Sequence, residues 1–222
     1  MARQLAFDLP ARSALGRADF YVSPANADAL ALIDRPDLWP LGKLLLIGPE
    51  GSGKSHLAAV FAAGRQARMV EAADLALGPL PDPAPALVVE NTDRLPAAAQ
   101  EPLFHLHERT LREGGLLLLT AARPVGDWGL TLADLISRMQ GTAAVALLPP
   151  DDALLAAVIV KLFADRQVTV APTLVRYLVE RTERSFAAAR ALVERLDARA
   201  LALGRPITRA LAAEVLDSAA GP

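Results

Sequence analysis

The sequence predicts an α/β fold: a parallel sheet of five strands with helices on both faces, followed by a small all-helical lid. Three observations predict it. Short apolar runs alternate with helix-like stretches between residues 43 and 148. A glycine-rich octapeptide joins the first of those runs to the first long helix. After Pro149-Pro150 the strand-like runs stop and only helical periodicity remains.

In chain order, residues 1–19 read as a tail, 20–150 as the α/β unit and 151–222 as the helical lid. Ser23-Pro24-Ala25-Asn26 predicts a helix start, with serine as the cap and proline at the first helical position. Residues 43–47 (Lys-Leu-Leu-Leu-Ile) form an apolar run ended by Gly48, hence a buried strand. Residues 55–63 predict a helix with Gly64 as its C-cap. Residues 68–70, 86–90, 116–120 and 143–148 supply the other strands, and 97–112 and 132–139 the intervening helices. The proline-rich stretch 78–85 is a loop. In the lid, Asp151 or Asp152, Ser185 and Thr208 are caps, Pro172 opens a helix, and Gly204 closes the long one.

Composition narrows the function classes. The chain has 222 residues, enough for a core with a small lid, and no cysteine, which excludes disulfides and thiolate metal sites. No apolar run approaches the roughly 18 residues of a spanning helix. Met1-Ala2-Arg3-Gln4-Leu5 lacks the apolar core of a secretory signal. A soluble cytoplasmic protein without a membrane partner is expected. A net charge of −2 provides no global basic field for nucleic acid.

Gly48-Pro49-Glu50-Gly51-Ser52-Gly53-Lys54-Ser55 has the G-x-x-x-x-G-K-[ST] spacing of a phosphate-binding loop. Glycines let the backbone wrap close, so that several N–H groups converge on an anion, and the helix that follows presents its positive end to the same place. Lys54 is placed to reach β- and γ-phosphates and Ser55 to ligate Mg²⁺, so ADP or ATP with magnesium is the expected cofactor. Glu90, ending the apolar run 86–90, is the candidate carboxylate for the hydrated metal, because an acid there is costly without a partner. The next residue is Asn91, whose amide cannot act as a general base, so poor unaided hydrolysis is expected.

With these motifs in place, residues 20–218 resemble the DnaA-related AAA+ ATPases, and among them the short regulatory paralogues of the Hda type. Residues 48–55 match the family's Walker A loop, followed by His56-Leu57. Phe20-Tyr21-Val22 with Asn26 resembles the segment that borders the adenine, which implies base contacts from Phe20, Val22 and Asn26. Residues 87–95 align with Walker B, with Glu90 and Asn91 in place of two aspartates. Residues 119–124 resemble sensor 1, with Ala122 in place of the usual acid. Ile136-Ser137-Arg138-Met139 followed by Gly141 is similar to the motif that carries a trans-acting arginine finger, which implies that role for Arg138. The sensor 2 arginine of the lid falls on Ala187, which leaves Arg184 or Arg190 to reach the nucleotide.

The tail segment Gln4-Leu5-Ala6-Phe7-Asp8-Leu9 resembles the sliding-clamp motif of Hda-type proteins, Asp8 apart. The resemblance implies that Gln4, Leu5, Phe7 and Leu9 bind the β clamp of DNA polymerase III, that DnaA is the second partner, and that self-association is open to the chain. The helix-turn-helix domain of DnaA has no counterpart before Pro222, so sequence-specific DNA binding is not expected. The implied function is negative regulation of replication initiation by stimulating ATP hydrolysis on DnaA. The alternatives are a helicase-loader-like or other DNA-remodelling ATP switch, and a free-standing NTPase or kinase. His105 and His107 read as solvated residues on different helix faces, and Trp39 and Trp128 as loop anchors.

Overall fold

Alternation along the strands decides the architecture. The computed structural model describes residues 16–17 and 20–218. Strands β1 (Lys43–Ile47), β2 (Arg68–Glu71), β3 (Ala86–Glu90), β4 (Leu116–Ala121) and β5 (Ala143–Ala146) form one parallel sheet in the order β2-β3-β4-β1-β5. Leu44, Leu46, Val88 and Leu118 face one side, where helices α1 (Ala27–Asp34) and α2 (Lys54–Arg65) cover them with Leu30, Ile33, Leu57 and Phe61. Leu45, Val89, Leu117 and Leu119 face the other, under Leu103 and Leu106 of α3 (Gln100–Arg112) and Leu135 of α4 (Ala133–Gln140). Apolar residues at both parities are what a parallel sheet buried on two faces needs. Each such leucine contributes roughly 1.5–3 kcal/mol on leaving water.

Several element ends differ from where the sequence pattern puts them: β5 stops at Ala146, α3 begins at Gln100 after a 3-10 turn, and local chemistry explains two more. Ser23 does not cap α1. Its N–H instead bonds Asn26 Oδ1 at 2.9 Å and its Oγ accepts from Ala25 N at 3.1 Å, a closed turn after which the helix starts at Ala27. Gly64 does not end α2, which runs to Arg65 and is closed by Gln66 in the left-handed region at φ 51°. Trp39 and Trp128 do anchor loops: their Nε1 atoms donate to Leu32 O at 2.7 Å and Arg123 O at 2.8 Å.

The lid holds α5 (Asp152–Ala164), α6 (Pro172–Val179), α7 (Phe186–Leu203) and α8 (Arg209–Asp217) around a core that includes Leu155, Ile159, Phe163, Leu178, Leu192 and Leu196. Asp151, Ser185 and Thr208 accept hydrogen bonds from Leu154 N, Ala188 N and Leu211 N, so the predicted caps are formed. Among the described residues, no helix is long and apolar enough to cross a membrane. Gln4, Leu5, Phe7 and Leu9 lie outside the described residues.

Candidate functional site

The loop between β1 and α2 is built so that side chains would obstruct it. Gly51 and Gly53 take φ of +71° and +95°, values that strain any other residue. A Cβ on Gly48 would stand 2.5 Å from Leu147 O. A Cβ on Gly51 would stand 2.9 Å from Ala187 N, because the first turn of α7 sits on the loop and Phe186 N donates to Gly51 O at 3.0 Å. Lys54 curls back over the loop, its Nζ donating to Gly48 O at 2.7 Å and Pro49 O at 2.9 Å. Burial pushes the Lys54 ammonium below the ordinary lysine range, and the carboxylates of Asp93, Glu50 and Glu90 oppose that shift.

Above the loop opens a cavity of about 660 Å³. It gathers nine of the residues that the sequence singled out, Phe20, Asn26, Glu50, Gly51, Gly53, Lys54, Ser55, His56 and, from the lid, Arg190, but not Glu90. Gly48, Pro49 and Ser52 complete the loop without lining the cavity. The Phe20 ring meets His56 edge-on, with centroids 5.2 Å apart. Asn26 spends its side chain on the backbone, donating to Tyr21 O at 2.8 Å and accepting from Ser23 N. Val22 is exposed and off the wall, and Tyr21 lines it instead. Arg184 does not line it either, and its guanidinium pairs with Asp152 at 2.9 Å.

Glu90 ends β3 with Oε1 buried and lacking a hydrogen-bond partner, and Ser52 Oγ is in the same condition. Orphaned oxygens beside a buried lysine suit a charged, hydrated ligand better than an apolar one. The lining fits a nucleotide, and Ser55 and Glu90, the latter off the cavity wall, would hold a magnesium ion bound with it. Among the described residues, no group of three or more His, Asp or Glu side chains could hold a metal alone. Asn91 stands at φ 56°, its N–H on Thr120 Oγ1 and its Nδ2 on Glu71 Oε2, so its amide is engaged away from the loop. Besides lid residues such as Leu154, Phe186 and Glu194, Asp93 and Arg94 escape the sequence reading. Buried Asp93 accepts from Ala122 N at 3.1 Å and from Arg123 Nε at 3.3 Å. Arg94 lines the cavity.

Arg138 stands elsewhere. It lies in the last turn of α4, with its Nε 2.9 Å from Glu108 Oε1, and its backbone carbonyl accepts from Lys43 Nζ at 3.0 Å at the start of β1. The phosphate loop leaves the other end of β1, so the strand separates the two groups. Arg138 is absent from the nucleotide cavity and lines a second one of about 620 Å³ with Lys43, His107, Glu108 and Arg112. Here the reading of His107 as solvated is corrected. It is 2% exposed, with Nε2 3.4 Å from Lys43 Nζ and Nδ1 3.2 Å from Glu108 Oε1. Burial and then the Lys43 charge push its imidazole below the ordinary histidine range. His105 shares none of this, facing Phe104 edge-on.

A parallel five-stranded sheet with a phosphate-type loop after β1, which lies between β4 and β5, and a helical lid over that loop defines a P-loop NTPase fold of the AAA+ class. More particularly, the fold is DnaA-like. Domain III of the replication initiation protein DnaA from Thermotoga maritima superposes with a TM-score of 0.80 at 17% identity, covering 96% of this chain and 100% of that one. AMPPCP-bound DnaA from Aquifex aeolicus gives 0.69 at 16% identity over 81% of this chain, which spans 64% of that longer one. The Holliday junction branch migration motor RuvB of Thermotoga maritima gives 0.68 at 18% identity, covering 91% and 71% of the two chains. No protein-family model matches the sequence, and no curated protein does.

Proposed function

We propose that the protein is a nucleotide-bound, cytoplasmic negative regulator of replication initiation, which docks on ATP-bound DnaA while held by the DNA-loaded sliding clamp and stimulates ATP hydrolysis on DnaA. The observation that carries this reading is the position of Arg138: a half-exposed guanidinium at the far end of β1 from the loop, in a DnaA-like fold. An arginine so placed cannot serve its own nucleotide, and by giving up its exposed pair with Glu108 it can serve a neighbour's. Charge developing on a transferred phosphoryl group is stabilised by such a planar fork.

The protein's own nucleotide, ADP or ATP with Mg²⁺, then acts as a structural switch. Lys54 and the loop amides bind the phosphates, Ser55 and Glu90 hold the ion, and α7, resting on Gly51, couples the lid to occupancy. With an amide at Asn91 instead of a base, intrinsic turnover is slow. Gln4, Leu5, Phe7 and Leu9 supply the clamp contact, and self-association uses the same Arg138 face. The AMPPCP in the DnaA structure supports the choice of an adenine nucleotide.

The test is phosphate release from ATP-loaded DnaA with clamp on DNA. Added protein accelerates release, and joint replacement of Gln4, Leu5 and Phe7 by alanine removes the clamp-dependent part. No acceleration in either case sinks the reading. The likeness to RuvB favours a second one, a DNA-remodelling ATP switch. ATP-dependent binding to single-stranded DNA in the same assay would select it.

A further inference from the structure

The nucleotide cavity holds a cation that the motif does not supply. Arg94 follows β3 by four residues and lines the wall beside Asn91 and Lys54. Its root is fixed. The 3-10 turn Thr92–Arg94 is pinned by Thr92 Oγ1 donating to Thr120 O at 2.8 Å, by Arg94 N on Asn91 O at 2.9 Å, and by buried Asp93 on Ala122 N. Its side chain, by contrast, is 61% exposed and pairs with Glu50 of the loop.

Sheet order places the two ends of the cavity. Phe20, Tyr21 and Asn26 stand on the α1 side of β1, toward β5. Asn91 and Arg94 stand on the opposite side, beyond β4. A nucleotide whose base lies among the aromatic side chains therefore runs its phosphates over Lys54 toward Arg94.

We propose that Arg94 exchanges Glu50 for the terminal phosphate of a bound nucleoside triphosphate, and so acts as a second phosphate-reading cation within the same chain. The proposal rests on the nucleotide-binding reading above. An exposed ion pair holds its partners weakly, whereas a guanidinium on phosphate oxygens makes charge-assisted bonds in a fork geometry. Glu50 and Arg94 both stand close enough to Lys54 to act on its charge, so the pair lies across the path of the phosphates rather than on remote surface. Departure of Arg94 from Glu50 also links the loop's closure to the identity of the nucleotide: a diphosphate leaves the pair in place and a triphosphate breaks it.

The experiment is equilibrium titration of the full chain with fluorescent ADP in Mg²⁺, and its competition by AMPPCP, for wild type, Arg94→Ala, Glu50→Gln and the double variant. Arg94→Ala is expected to weaken AMPPCP by about tenfold or more and ADP by less than about threefold. Glu50→Gln is expected to tighten AMPPCP, because it removes both a competitor for Arg94 and a charge that repels phosphate. Arg94→Ala is expected to lose more AMPPCP affinity in the Glu50→Gln background than alone, because Arg94 no longer has to leave Glu50. Equal losses for both nucleotides, no loss for either, or a Glu50→Gln variant that shows the same selective loss each overturn the proposal. Lys54→Ala separates the two levels. If it still binds ADP, the nucleotide-binding reading fails. If it abolishes binding while Arg94→Ala leaves the AMPPCP-to-ADP ratio unchanged, only the role of Arg94 fails.

Discussion

The two ends of β1 carry two clusters of cations in opposite conditions. At the loop end, Lys54, Arg94 and Arg190 line an open cavity beside orphaned oxygens of Glu90 and Ser52, and Lys54 is satisfied only by the loop's own carbonyls. At the far end, Lys43, His107, Glu108 and Arg138 are already bonded to one another. The first arrangement gains when an anion enters. The second is complete within the chain and holds Arg138 at a fixed place on the surface. A buried polar network that is fully partnered rigidifies its surroundings. On the proposed reading, the comparison separates a site that binds for this chain from a site that presents a group to another.

Three changes break or sharpen that separation. The largest effect is expected for Arg138→Ala. It should bind ADP as the wild type does and lose stimulation of DnaA by about 10³-fold or more, read as phosphate release. Loss of ADP binding would join the two ends and reverse the geometry.

The second concerns acid. Because His107 sits below its ordinary range in the folded state, the unfolded chain takes up a proton first as pH falls below about 6.5. Folding stability should therefore be fully present above that pH and decline below it, by at most about 1.4 kcal/mol per pH unit for one proton. Chemical denaturation from pH 8 to 5 measures this, and His107→Gln should flatten the profile. A wild-type profile that rises toward acid would contradict the buried neutral imidazole.

The smallest effect belongs to the lid. Ser185→Ala removes the cap of α7 and should cost about 1 kcal/mol of stability. Because that helix rests on Gly51, ADP affinity should weaken slightly in the same variant, whereas the Arg138 face should not respond. Stability loss with no change in affinity would uncouple the lid from the loop.

What the sequence discloses follows the range over which each signal acts. The strands at 43–47, 86–90 and 116–121 are local apolar runs, the loop is a contiguous motif, and the lid caps act within three residues, so all were legible. His107 was misread by attending to its spacing from His105. The informative pattern was Leu103, Leu106, His107 and Thr110, the i, i+3, i+4, i+7 stripe that α3 buries. Arg94 and Arg184 could not be sorted from sequence, because what decides each is a distant acid: Glu50 of the loop for one, Asp152 of α5 for the other. Asn26 lines the cavity, but the turn it closes with Ser23 and Tyr21 is a matter of backbone geometry that residue types do not announce.

The central claim is that the loop end of β1 grips nucleotide phosphates through Lys54. The most direct measurement is titration of the purified chain with fluorescent ADP in Mg²⁺, wild type against Lys54→Ala. Loss of the ammonium removes a charge-assisted contact from a partly desolvated site, so affinity should fall at least about 100-fold, with the fold intact by circular dichroism. Wild-type binding should be saturable and should disappear in Lys54→Ala. A variant that binds ADP as tightly as the wild type, or a wild-type chain that does not bind it at all, would contradict it.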